Sequence, residues 1–118
     1  MANVVRGLVG LLLAVLVAWA PALAADHSWL VGTWELSHDP EGNPKDWLEF
    51  TADGKATSIS PRGRRTPGEY TVTNGAVNVV YTFKGQRIPL TFTYSVDKKT
   101  LLVRSHKTGS TSEYRKAP

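Results

Sequence analysis

The sequence contains no cysteine among its 118 residues, which excludes disulfides, thiolate metal ligands and a cysteine nucleophile. Small exported domains often rely on disulfides because their hydrophobic cores are small. A fold built from this chain has to be stabilised by side-chain packing and strand pairing alone. That requirement favours a closed or nearly closed sheet, in which few backbone groups are left unpaired.

Recognisable catalytic and metal-binding motifs are also missing. No serine stands in a G-x-S-x-G context, the usual setting of a hydrolase nucleophile. The three histidines, His27, His38 and His106, share no H-x-H or H-x-x-x-H spacing. We therefore predict that the protein is not an enzyme, and we predict no catalytic residues, no metal site and no cofactor.

Long apolar runs are confined to the N-terminus. Residues 8–20 (LVGLLLAVLVAWA) follow Arg6 and precede Pro21 and the small residues Ala22 and Ala24. This pattern predicts a cleaved signal peptide over residues 1–24, with cleavage after Ala25 as the second choice. An uncleaved anchor is the alternative, but a spanning helix needs about 20 apolar residues. We expect a single domain over residues 25–118, periplasmic or secreted, with no stable membrane anchor after processing.

From Trp29 onward the hydrophobic period is two, which is typical of β-strands. The clearest segment is Ala76–Phe83, where alternate residues are apolar, and Asn74-Gly75 and Lys84-Gly85 flank it as tight hairpin turns. Pro89 in the next segment indicates an edge strand or a bulge. A helical turn is predicted only over residues 27–31. Eight short strands are predicted, over residues 32–37, 47–51, 55–60, 70–73, 76–83, 87–94, 100–106 and 111–115.

Sequential hairpins of this kind predict an all-β domain, a single antiparallel up-and-down barrel of about eight short strands. A β-sandwich is the alternative that the pattern leaves open. In such a meander, the loop over residues 37–46, the loop that begins at Ser60 and the turn at Lys84 lie at one end of the barrel. The turns at Ala52, Asn74 and Asp97 lie at the other end.

Four segments carry a family resemblance: WLVGTWEL at 29–36, LEFTADGK at 48–55, GEYTV at 68–72, and LLV at 101–103 leading to Tyr114. Together they resemble the bacterial lipocalin-like domains of the calycin type. The resemblance implies a small barrel in which the tryptophan of Gly32-Thr33-Trp34 packs across the bottom. It also implies an apolar interior that can hold a ligand. We expect Trp34 to be a core residue that closes one end of the barrel, with Gly32 allowing close backbone approach; a role as the floor of a ligand cavity is the alternative.

The first functional hypothesis is a non-enzymatic exported binding protein of lipocalin-like type. It would hold a small apolar or amphipathic ligand inside the barrel. The residues expected to line the interior are aromatic: Trp34, Phe50, Tyr81, Phe92 and Tyr94.

The alternative hypothesis is a protein-binding module of the envelope, of the inhibitor or immunity type. Arg62, Arg64 and Arg65 form a concentrated charge feature between Pro61 and Pro67. Guanidinium groups on an ordered loop pair well with the carboxylates of an acidic partner protein. A mobile, solubilising loop is the other interpretation of the same residues. Nucleic acid is not an expected partner, because no aromatic residues that could stack on bases are interleaved with the arginines.

Overall fold

The computed structural model describes residues 27–118, which form one closed barrel of eight antiparallel strands. Each strand pairs with the next in sequence, and the last pairs with the first. The predicted up-and-down barrel is confirmed, and the sandwich alternative is wrong. The predicted signal peptide and both cleavage positions lie outside the described residues. The strands are β1 Gly32–His38, β2 Trp47–Phe50, β3 Lys55–Ile59, β4 Arg65–Thr73, β5 Ala76–Phe83, β6 Gln86–Tyr94, β7 Thr100–Arg104 and β8 Thr111–Lys116.

Two of the connections follow directly from their turn residues. Asn74 and Gly75 have φ angles of 50° and 78°, and Lys84 and Gly85 have φ angles of 50° and 75°. Positive φ at both central residues defines the tight hairpin turn whose twist matches that of the flanking strands. Both predicted hairpins are therefore confirmed.

The connections divide between the two ends of the barrel, as the meander predicted. We call one end the loop end; it holds residues 39–46, 60–64, 84–85 and 105–110. We call the other the turn end; it holds residues 51–54, 74–75 and 95–99 and the short 3₁₀ turn Ser28–Leu30 that precedes β1. The two longest loops, 39–46 and 105–110, are joined by a hydrogen bond of 2.6 Å that the Thr108 hydroxyl donates to Glu41.

Strand β4 begins five residues earlier than predicted. Arg65, Pro67 and Gly68 were expected in a loop, but they pair with Ile59, Thr57 and Ala56 of β3. The alternation of apolar residues is hidden there because Gly68 occupies an inward position without a side chain. The strand is recognisable only from its pairing with its neighbours.

The core is built from inward-facing residues of seven strands together with Leu30 of the 3₁₀ turn, and the half-buried Tyr70 and Val72 of β4 pack against it. Trp34 and Leu30 have no exposed surface, and Phe50 and Phe92 are 1% exposed. Their burial removes large apolar areas from water and is the main stabilising contribution available to a protein without disulfides. The other buried residues are Leu36, Leu48, Ala56, Val77, Val79, Tyr81, Leu101 and Tyr114.

The turn end is closed by contacts between β1, β8 and the 3₁₀ turn. The Trp34 indole donates a hydrogen bond of 2.9 Å to the Leu30 carbonyl. The Lys116 ammonium, 5.6 Å from the centroid of the Trp34 ring, donates one of 2.6 Å to the Trp29 carbonyl. At Gly32, where φ is 133°, an added Cβ would lie 2.9 Å from the Lys116 side chain. The positive φ favours glycine there, whereas the flexible end of the Lys116 side chain could move away from an added Cβ.

The hairpin of β5 and β6 extends beyond the rest of the wall at the loop end. β6 pairs with β7 only from Phe92 to Tyr94, whereas it pairs with β5 from Gln86 to Thr93. Pro89 lies in the part of β6 that pairs with β5 alone. The predicted edge position of Pro89 is confirmed, and a residue without an N–H group is tolerated there.

Within residues 27–118, no helix has the length and apolar character needed to cross a membrane.

A test of the close packing of the wall is the substitution Gly68→Ala. An added Cβ would lie 2.7 Å from both the Tyr81 ring and the Val80 carbonyl oxygen, and that carbonyl belongs to a paired strand that cannot shift freely. We expect Gly68→Ala to lower the free energy of unfolding by about 2–3 kcal/mol, the usual cost of overpacking. Urea titration followed by tryptophan fluorescence measures it.

The control is Gly63→Ala, where φ is 87° but nothing lies near the added group. Backbone strain alone should cost about 1–2 kcal/mol at Gly63. A smaller loss at Gly68 than at Gly63 would contradict the packing described for β4 and β5.

Candidate functional site at the loop end

The five aromatic residues predicted to line a ligand cavity lie inside the barrel wall, where they pack against one another and against aliphatic neighbours. Trp34, Phe50, Tyr81 and Phe92 belong to the buried core, and water reaches almost none of their surface. Tyr94 is partly buried at the turn end, where its ring centroid lies 4.8 Å from that of Trp29. These side chains form part of the packed interior of the barrel.

The three arginines of the partner hypothesis divide into two settings. Arg62 and Arg64 are exposed in the loop between β3 and β4, as predicted. Arg65 is the first residue of β4, so its expected position in the loop is wrong. Its side chain points outward and forms an ion pair with Glu49 on β2. An exposed pair of this kind contributes only about 0–1 kcal/mol, so Arg65 is tied to the wall weakly.

Two further cations lie at the same end of the barrel as Arg62 and Arg64: Lys84 in the turn between β5 and β6, and Arg87 at the start of β6. We call Arg62, Arg64, Lys84 and Arg87 the basic rim. The guanidinium carbon of Arg64 lies 5.2 Å from the centroid of the Phe83 ring, and the Lys84 ammonium lies 5.3 Å from it. Both distances are within the range of cation–π attraction. One half-buried aromatic ring is therefore in contact with cations from two different connections.

Charge is distributed unevenly around the barrel. Residues 54–96, which run from β3 to β6, hold six lysines and arginines and a single carboxylate, Glu69. The register places Glu69 opposite Lys55, toward the turn end. The other described residues hold eight carboxylates and seven lysines and arginines. Within residues 27–118, no carboxylate forms an ion pair with the basic rim. The basic rim is thus a one-sided field of positive charge.

A shallow pocket of about 160 Å³ lies on the opposite side of the loop end. Pockets for organic ligands usually measure about 300–1,000 Å³, so this one is too small for such a ligand. His38 is the only histidine in its lining. Nowhere in the described part of the chain do three histidine, aspartate or glutamate side chains converge as a metal ion requires. The pocket residues are Leu36, Ser37, His38, Asp39, Asn43 and Lys45.

A cluster of polar groups lies at the top of the core, just inside the loop end. The Tyr114 hydroxyl donates a hydrogen bond of 2.8 Å to the Asp46 carboxylate. Burial raises the pKa of Asp46, although this hydrogen bond acts in the opposite direction. Burial likewise raises the pKa of Tyr114 and of Tyr81, and the charge of Asp46 reinforces both shifts. Asp46 also fixes the loop 39–46, because its carbonyl accepts a hydrogen bond of 3.0 Å from the Leu36 amide.

The Tyr81 hydroxyl in this cluster has no hydrogen-bond partner, and it is the only such buried side-chain atom within residues 27–118. Leaving a buried hydroxyl unpaired costs about 1–3 kcal/mol. The Tyr81 ring itself is well packed: it lies across Gly68 and belongs to the buried core near the loop end.

Sequence reasoning placed the loop over residues 37–46 and the turn at Lys84 at this end of the barrel, but it did not identify Asp46, Phe83, Lys84, Arg87 or Ile88 as candidate site residues. Lys84 was read only as a turn residue, and Arg87 only as the start of a strand. The nearly carboxylate-free stretch from 54 to 96 is visible in the sequence and signals the basic rim. No sequence signal reveals that Asp46 contacts Tyr114, because 68 residues separate them.

The two buried tyrosines predict opposite outcomes when each loses its hydroxyl. Tyr81→Phe removes an unpaired polar atom and should raise the free energy of unfolding by about 1 kcal/mol. Tyr114→Phe leaves the half-buried Asp46 without its donor and should lower the free energy of unfolding by about 1–2 kcal/mol. Urea unfolding of both variants makes the comparison. A clear loss of stability in Tyr81→Phe would contradict the geometry described for its hydroxyl.

The raised pKa of Asp46 predicts a pH dependence of stability with a definite sign. The folded state favours the protonated Asp46 carboxyl. The contribution of Asp46 to the free energy of unfolding therefore falls as pH rises from the ordinary aspartate pKa of about 3.9 through the higher pKa of the folded state. Asp46→Asn keeps an acceptor for Tyr114 but does not titrate. The stability of Asp46→Asn relative to the original protein should therefore be higher at pH 7 than at pH 4. An equal difference at both pH values would contradict the assignment.

Comparisons with protein-family models, with curated proteins and with solved structures return no match to this chain.

Proposed function

We propose that this protein is a non-enzymatic binding module of the cell envelope that docks an acidic partner protein on its basic rim. The observation that carries the proposal is the segregation of charge. Four exposed cations gather at the loop end of a wall that holds one carboxylate between residues 54 and 96. Such a field attracts an acidic surface and accelerates encounter with it.

The basic rim is also partly preorganised for binding. Long cationic side chains normally lose conformational entropy when a partner immobilises them. Arg64 and Lys84 already rest against the Phe83 ring, each at about 5 Å from its centroid. The contact is worth about 0.5–1 kcal/mol at an exposed site, which is enough to bias the side chains without burying their charge. Their donors remain available to partner carboxylates.

The second proposal is a lipocalin-like protein that carries a small apolar or amphipathic ligand in its barrel. Its support is the eight-stranded barrel and the position of Trp34 across the turn end, next to Gly32. Against it stands the packing of Phe50, Phe92 and their neighbours, which would have to separate to admit a ligand. The partner-binding proposal needs no rearrangement of the core and is preferred for that reason.

The test is to recover the tagged protein from the envelope of the cells that make it and to weigh the assembly by native mass spectrometry. We expect a stoichiometric complex with one acidic protein. The complex should weaken between 0.15 M and 1 M salt, as the screening length falls from about 8 Å to about 3 Å. The double variant Arg64→Glu/Lys84→Glu should abolish the complex.

The matched control is Lys55→Glu/Lys99→Glu, which makes the same change of net charge with two exposed cations of the turn end. This control should leave the complex intact. Recovery of the protein alone, or equal loss of the complex in both double variants, would refute the proposal. Co-purification of a lipid-sized mass within the barrel would favour the ligand-carrying proposal instead.

A further inference from the structure

The basic rim borders an exposed apolar surface. Ile88 is 40% exposed, and among the large hydrophobic residues from 27 to 118 only Val96, at the turn end, is more exposed. Alternation along β6 makes Ile88 an inward-facing residue, in line with Leu90 and the core residue Phe92. It pairs across the sheet with Tyr81, which is 4% exposed.

Ile88 is exposed because β7 is too short to cover it. The β6–β7 register stops at Phe92 and Val103, so the part of β6 before Phe92 has a neighbouring strand only on the β5 side. Phe83 and Leu90 face the same way as Ile88 and are half-buried. We call Phe83, Ile88 and Leu90 the apolar lip. It lies on the inward side of the β5–β6 hairpin where the hairpin extends past β7 at the loop end.

The edge of β6 is a poor site for adding a partner strand. Pro89 lies in the middle of the uncovered segment and supplies no N–H group to a new ladder. Proline on an exposed edge is a usual means of preventing such pairing. Side chains, and not backbone hydrogen bonds, are therefore the groups that the apolar lip offers to a partner.

From this juxtaposition we infer that the apolar lip receives one aliphatic side chain of the acidic partner, while the basic rim binds the carboxylates beside it. This inference rests on the proposed function and specifies its site. Charge complementarity identifies the occupant, because Arg64 and Lys84 contact Phe83 of the apolar lip itself. A segment that bears acidic residues on both sides of a leucine matches both surfaces at once. A buried apolar anchor inside a polar rim is the usual arrangement of an interface hot spot.

Three acetylated heptapeptides with amidated C-termini test the inference on the purified protein. The first has leucine at its centre and glutamate at the other six positions; the second replaces the leucine with serine; the third keeps the leucine and replaces every glutamate with lysine. Binding is measured by NMR titration of the protein's backbone amides and methyl groups. We expect the glutamate–leucine peptide to bind about tenfold more tightly than the glutamate–serine peptide, since partial burial of a leucine supplies roughly that factor. Its shifts should centre on Phe83, Ile88 and Leu90.

Two protein variants complete the design. Ile88→Ser should reduce the affinity for the glutamate–leucine peptide to that for the glutamate–serine peptide. Val96→Ser, which alters the exposed valine of the turn end, should change neither affinity. The comparison of the two glutamate peptides on the unaltered protein does not depend on how well either variant folds.

The possible failures are distinguishable. Equal binding of the two glutamate peptides would overturn the role of the apolar lip and leave the basic rim, and with it the proposed function, in place. If neither glutamate peptide binds more tightly than the lysine peptide, both the apolar lip and the proposed function are overturned.

Discussion

Closure of the barrel at its turn end is the constraint on which the rest of the structure depends. A chain without cysteine has no covalent means of joining its first strand to its last. Here β1 and β8 are joined by strand pairing and by Lys116, whose ammonium lies against the Trp34 ring and binds the Trp29 carbonyl. The Trp34 indole donates a hydrogen bond to the Leu30 carbonyl, which holds the 3₁₀ turn against the core. Closure leaves few unpaired strand edges, and it forces all inward side chains into one shared space.

That shared space is narrow. Eight strands enclose an interior that is just wide enough for side chains to fill it or for one small ligand. Trp34, Phe50 and Phe92 occupy it almost without exposed surface. At the loop end, the β5–β6 hairpin extends past β7 and leaves Ile88 partly exposed. The same hairpin carries Lys84 of the basic rim. The part of β6 that β7 does not cover and the concentration of positive charge therefore lie next to each other.

Most of the fold could be predicted from the sequence, because each strand and each tight turn is specified by a few consecutive residues. Alternation gave the inward faces of β5, and Asn74-Gly75 and Lys84-Gly85 gave its two hairpins with their positive φ angles. The start of β4 could not be predicted, since Gly68 breaks the apolar pattern while the strand is held by β3 and β5. Only part of the candidate site could be predicted from the sequence. The arginines of residues 62–65 are visible in the sequence, but the separation of Arg65 from the others depends on strand register.

We propose that the barrel interior is solid and that binding takes place on its outer surface at the loop end. Xenon enters dry apolar cavities of proteins readily, so a crystal of the protein pressurised with xenon tests this claim most directly. A solid interior predicts no ordered xenon among Trp34, Phe50, Val79 and Phe92. Xenon atoms bound between those side chains would reveal an internal cavity that could hold a small apolar ligand, and would contradict a solid interior.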